Sequence, residues 1–188
     1  VAKQRAEQTA AKWGPTHWST ETPEYLTSQR FDLRYDMPNE APLAADASLG
    51  IVIVDHGSRR AESNRLLEDV VAMFREVSRC ANVQVAHMEL AEPTIAQAFS
   101  RCVAAGASRV VVFPYFLAPG RHWSEDIPRL AAEAAASHPG VEYLVSAPLG
   151  LHQLIGQVMI ERIETCVAAQ SGGPLCQLCD STPRCSHG

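Results

Sequence analysis

Apolar positions between residues 49 and 170 alternate between short unbroken runs and helix-spaced stripes. Gly50-Ile-Val-Ile-Val54 is a continuous, mostly β-branched run, the pattern of a strand buried on both faces of a parallel sheet. Leu66, Leu67, Val70, Val71, Phe74 and Val77 then recur three and four residues apart, which predicts a helix with one packed side. A second strand is expected over Val83–Leu90, and a second helical stripe (Ile95, Ala98, Phe99, Cys102, Val103) stops at Gly106. Arg109–Phe113 predicts a third strand, and a helix follows from about Ser124 to Ser137, ended by His138-Pro139-Gly140. Val141–Ser146 reads as a fourth strand. Leu151, Leu154, Ile155, Val158, Ile163 and Cys166 mark a last helix reaching about Ala169. This βαβαβαβα order predicts an α/β three-layer sandwich, a four-stranded parallel sheet with helices on both faces.

The flanks break the pattern. Residues 1–48 contain Pro15, Pro23, Pro38 and Pro42, and their larger apolar side chains (Trp13, Trp18, Tyr25, Leu26, Phe31) are isolated. They read as an irregular N-terminal arm beside a domain over 49–169. The chain opens at Val1 rather than Met, which suggests that an upstream segment has been removed, and no secretory apolar region is visible. Residues 170–188 form a Cys-rich tail that cannot build a core of its own.

Composition narrows the classes. The chain has 188 residues, 46% of them hydrophobic and 20% charged, as expected of a globular rather than a disordered protein. Its net charge of −5 argues against electrostatic capture of nucleic acid or anionic membranes. No apolar run reaches the roughly 18–20 residues of a membrane span. Both lysines, Lys3 and Lys12, precede the domain, so every domain cation is arginine.

Ligands of open parallel sheets bind beyond the carboxyl ends of the strands, and chemistry-bearing residues gather there. His56 follows the first strand, His87 and Glu89 end the second, and His122 lies in the loop after the third. Imidazoles and a carboxylate on one rim suit a divalent ion such as Fe²⁺, Co²⁺ or Zn²⁺. Each has a plainer reading, as a hydrogen-bonding loop residue or a surface charge. The glycines of a nucleophile elbow are missing around Ser58, and neither a dinucleotide fingerprint nor a phosphate loop is present. His138 and His152 sit at helix ends, and Cys80 and Cys102 read as structural thiols.

The tail carries Cys176, Cys179 and Cys185, with Cys166 ten positions upstream. The spacing admits a four-thiolate [2Fe–2S] cluster, a zinc site with or without His187, or a disulfide or free thiols.

Four segments carry a resemblance: Val-Asp-His-Gly-Ser-Arg (54–59), His-Met-Glu-Leu-Ala-Glu-Pro-Thr (87–94), the stretch from Pro114 to Pro128 containing Gly-Arg-His-Trp, and Ala-Pro-Leu-Gly-Leu-His (147–152). In this order they resemble the small class II chelatases, which insert a divalent metal into sirohydrochlorin. The likeness runs over roughly 50–168. The tail resembles that of plant, plastid-targeted members acting with iron.

The resemblance implies a lyase that inserts Fe²⁺ into sirohydrochlorin, giving sirohaem and releasing two protons. His56 and His122 match the metal ligands, and Glu89 matches the carboxylate beside them, a proton acceptor or metal guide. Many bacterial relatives have an aromatic residue where His87 stands, which leaves its role open. The resemblance also favours the [2Fe–2S] reading for Cys166, Cys176, Cys179 and Cys185, a chloroplast location, and pairing of two such half-length chains as a homodimer. The substrate is an eight-carboxylate macrocycle, so Arg59, Arg60 and Arg121 are expected to clamp carboxylates. Ser58 and the backbone N–H groups after Gly57 are expected to assist them. Neutral imidazole holds such an ion less tightly than thiolate, as a metal that must be handed on requires. A sirohydrochlorin cobaltochelatase, or a non-catalytic iron or iron–sulfur carrier, would use the same residues.

Overall fold

A computed structural model describes Leu43 and residues 46–174. Most of the expected arm, and the cysteines at 176, 179 and 185, therefore lie outside the described residues. The elements run β1 (Leu49–Asp55), α1 (Ala61–Ser78), β2 (Val83–His87), α2 (Ile95–Ala104), β3 (Arg109–Pro114), a π-helical turn (His122–Asp126), α3 (Ile127–Ala136), β4 (Glu142–Val145) and α4 (Gln153–Gln170). The four strands form one parallel sheet in the order β2-β1-β3-β4. This is the expected α/β class.

The β1 run is apolar throughout because its two faces feed two cores. Val52 and Val54 join Val110 and Val112 against Ile95, Phe99 and Cys102 of α2 and Ile127 and Ala131 of α3. Ile51 and Ile53 pack with Val83 against Leu67 and Val71 of α1. Gly50 lets α2 approach closely, since a Cβ there would lie 2.7 Å from that of Cys102. α2 starts in a full capping box, with Thr94 and Gln97 each bonding the other's backbone N–H. Such an N-cap contributes about 0.5–2 kcal/mol.

Two boundaries near the strand ends differ from expectation. β2 ends at His87, not Leu90. The amides of Met88 and Glu89 bond the carbonyls of Asp55 and His56, while His87 N–H turns to Pro93. The third helix begins with the π-helical turn at His122. α4 forms as expected, yet none of its 18 residues is buried. Its apolar side chains Val158, Met159, Ile160, Ile163 and Val167 stay exposed, as do Tyr143 and Leu144 on the edge strand β4. No helix among the described residues is long and apolar enough to cross a membrane.

Candidate active site

The chain passes from β1 to β2 on one side of the sheet and then to β3 on the other. The crevice between the carboxyl ends of β1 and β3 is the switch point where such sheets take their ligands. His56 leaves β1 and His122 follows β3, so the two imidazoles flank that crevice. Their ring centroids lie 5.2 Å apart at an interplanar angle of 65°. Glu89, beyond β2, places Oε2 3.8 Å from Nε2 of His56. The three side chains are 41%, 45% and 56% exposed for His56, His122 and Glu89, so an ion and a large planar molecule can reach them from solvent.

Each imidazole keeps one nitrogen available. Nδ1 of His122 is 2.9 Å from Oδ2 of Asp126, one π-turn onward. A carboxylate only accepts, so this contact holds the hydrogen on Nδ1 and leaves the Nε2 lone pair for a metal. Nδ1 of His56 lies 3.4 Å from the Gly57 carbonyl, while its Nε2 faces Glu89. Phe116 stacks on His122 with centroids 6.3 Å apart. Trp123 donates from Nε1 to the Ser146 carbonyl at 2.9 Å, fastening the π-helical turn to the end of β4.

Backbone packing fixes how β1 releases His56. Gly57 has φ +82°, and a Cβ there would lie 2.3 Å from the Glu89 carbonyl oxygen. Only glycine fits both demands. Asp55 Oδ1 accepts the Gly57 amide at 2.9 Å. Ser58 N–H donates to Asn64 Oδ1, and Asn64 Nδ2 returns a bond to the Ser58 carbonyl, both at 2.9 Å.

These bonds correct one expectation. The amides of Gly57, Ser58 and Arg60 are taken by Asp55, Asn64 and the Ser58 hydroxyl, so they do not form an open anion cradle. Arg59 and Arg60 are exposed, and Arg121, 78% exposed, pairs with Glu125 at 3.3 Å. Such a surface pair is weak and open to exchange for a substrate carboxylate.

The structure thus brings His56, Glu89 and His122 together and leaves His87 apart. His87 is 1% exposed and bonded to Asp55. Cys166 lies on α4, half-buried. His138 accepts or donates at the Ser100 hydroxyl, 2.9 Å away, and His152 caps α4 by accepting from the Leu154 amide. Asp126 escaped the sequence reading, although its spacing of four residues from His122 was a usable signal. Among the described residues no set of three or more His, Cys, Asp or Glu side chains is placed to hold a metal ion. A hollow of about 330 Å³ between α2 and α3 contains none of His56, Glu89 and His122.

Comparison with known proteins places these features in context. The CbiX family model matches residues 50–166. The chain is 53% identical over 137 residues to the chloroplastic sirohydrochlorin ferrochelatase of Arabidopsis thaliana, covering 72% of this chain and 61% of that protein. It thus spans about three fifths of that relative's length. A sirohydrochlorin cobaltochelatase of Saccharolobus islandicus is 35% identical over 123 residues, covering 61% of this chain and 93% of the relative. Among solved structures, SirB from Bacillus subtilis with Fe³⁺ superposes with a TM-score of 0.58 at 26% identity, covering 61% of this chain and 46% of that one.

Proposed function

The chain belongs to the CbiX family, and from this premise we propose that it is a sirohydrochlorin ferrochelatase, inserting Fe²⁺ into the macrocycle to give sirohaem. The observation that carries the reading is the approach of His56 and His122 across the sheet's switch point, with Glu89 beside them. Two neutral imidazoles without a third fixed donor hold a divalent ion and still let it go. A structural metal site would instead be closed by four protein ligands. As pyrrole nitrogens take the metal, two protons must leave; Glu89 is the carboxylate placed to accept one at Oε2, and the other passes to water at this solvent-exposed rim. Arg59, Arg60 and Arg121, with Ser58, are the proposed contacts for the macrocycle's carboxylates.

The ferrochelatase reading is favoured over Co²⁺ insertion by the 53% identity to the Arabidopsis ferrochelatase. The test is direct: anaerobic incubation with sirohydrochlorin and Fe²⁺ converts the free-base absorption spectrum to the metallated one, and Co²⁺ in its place does so more slowly. No conversion with either ion would leave the carrier reading standing.

Three further parts of the proposal concern the rest of the chain. A plastid location is supported by the relative described as chloroplastic. A homodimer is supported by the apolar side chains left exposed on α4 and β4, which a second copy would cover. A [2Fe–2S] cluster on Cys166, Cys176, Cys179 and Cys185, one of the arrangements their spacing admits, is favoured by the tail's resemblance to plant, plastid-targeted members, and α4 ends shortly after Cys166. There Gly172 takes φ +89° and the Gly173 amide bonds the Ala168 carbonyl. The helix that carries Cys166 therefore stops at Gln170, four residues beyond it. Such a cluster would supply one-electron chemistry; the arm over 1–48 and the tail over 170–188 would then flank a catalytic domain over 49–169.

A further inference from the structure

Asp55 and His87 are register partners at the ends of β1 and β2, immediately before the loops that carry His56 and Glu89. His87 is 1% exposed, and its Nδ1 lies 2.5 Å from Oδ1 of Asp55. The same oxygen accepts the Gly57 amide at 2.9 Å. Neighbouring backbone bonds run Met88 N–H to the Asp55 carbonyl at 2.8 Å and Glu89 N–H to the His56 carbonyl at 3.1 Å. Gly57 packs so closely that a Cβ there would lie 3.0 Å from that of His87.

Burying the His87 imidazole, even beside the partly exposed Asp55 carboxylate, carries a desolvation cost that an apolar side chain would avoid, so holding two strands together does not by itself explain it. What the pair adds is direction. Asp55 collects one donor from the loop of His56 and one from the end of the strand that leads to Glu89, at a single oxygen. We propose that Asp55 and His87 are positioning residues that set the separation of His56 and Glu89, and with it the opening offered to the metal. The inference rests on the chelatase reading of that site.

The test compares His87→Asn, whose amide nitrogen can still donate near the position of Nδ1, with His87→Phe, which fills the space without a donor. Full-length variants, His122→Ala among them, are titrated with Co²⁺ by visible absorption against a protein-free blank and assayed for Fe²⁺ insertion. His87→Phe is expected to lose about tenfold or more in Co²⁺ affinity and kcat, while KM for sirohydrochlorin stays within about twofold. His87→Asn is expected to keep both within about threefold of the parent protein. A packing role predicts the reverse order, because Asn leaves a cavity and Phe does not. Equal values in the two variants, or the better values in His87→Phe, overturn the inference. Should His87→Phe not fold, Asp55→Ala removes the shared acceptor instead; the same loss supports the inference, and unchanged Co²⁺ affinity overturns it. His122→Ala separates the two levels: if it keeps Co²⁺ binding and turnover, the chelatase reading of the site fails; if it loses them while His87→Phe does not, only the positioning role fails.

Discussion

Nδ1 of His122 and Oδ2 of Asp126 are 2.9 Å apart, joined across a π-helical turn rather than an α-helical one. The carboxylate fixes both the ring's orientation and the nitrogen that carries the hydrogen. Carboxylates in this relation to a metal-binding histidine are worth about 10–100-fold in metal affinity or activity. Asp126→Ala is therefore expected to weaken Co²⁺ binding by about that factor and to raise the KM for Fe²⁺. Asp126→Asn keeps an acceptor and loses less. Metal titration of the two variants checks the order.

Gly57→Ala attacks the site through the backbone. The substitution must accept φ +82° and a Cβ 2.3 Å from the Glu89 carbonyl. Strain of this kind costs on the order of 1–3 kcal/mol. Thermal unfolding is expected to show a lower Tm. Turnover measured well below that Tm is expected to fall further than stability accounts for, because relief of the clash moves Glu89 away from His56.

Cys102 gives a prediction about pH. It is fully buried, and burial is the main reason its thiol is pushed up to about 12. A raised thiol pKa leaves the neutral form dominant below it, so at pH 8 only about one molecule in 10⁴ is the reactive thiolate. Iodoacetamide at pH 8 is expected to spare Cys102 in the folded protein and to modify it after denaturation. Peptide mass spectrometry reads the difference.

The tail is tested by colour. Anaerobically purified protein is expected to be brown, with visible charge-transfer absorption, and Cys179→Ser to bleach it. A colourless preparation containing zinc contradicts the cluster and favours the zinc reading.

β1 is legible because a buried parallel strand must be apolar on both faces, as Ile51–Val54 are, and the other strands are legible as short apolar runs alternating with helix-spaced stripes. His56, Glu89 and His122 were legible because strand ends carry the chemistry in such sheets. The partnership of Asp55 with His87 was not. It depends on the register between β1 and β2, which no local spacing encodes. The end of β2 was misplaced because Met88 is buried like a strand residue although the strand stops at His87. The apolar stripe of α4 correctly marked a helix, but periodicity says that a face is apolar, not which surface covers it.

The central claim is that His56 and His122 together present Fe²⁺ to sirohydrochlorin. The most direct measurement follows conversion of free-base sirohydrochlorin to its iron form, anaerobically, by the parent protein and by His122→Ala, with circular dichroism confirming that the variant is folded. The account predicts rapid conversion by the parent protein and none above the uncatalysed rate with His122→Ala. Equal rates for the two proteins would contradict it.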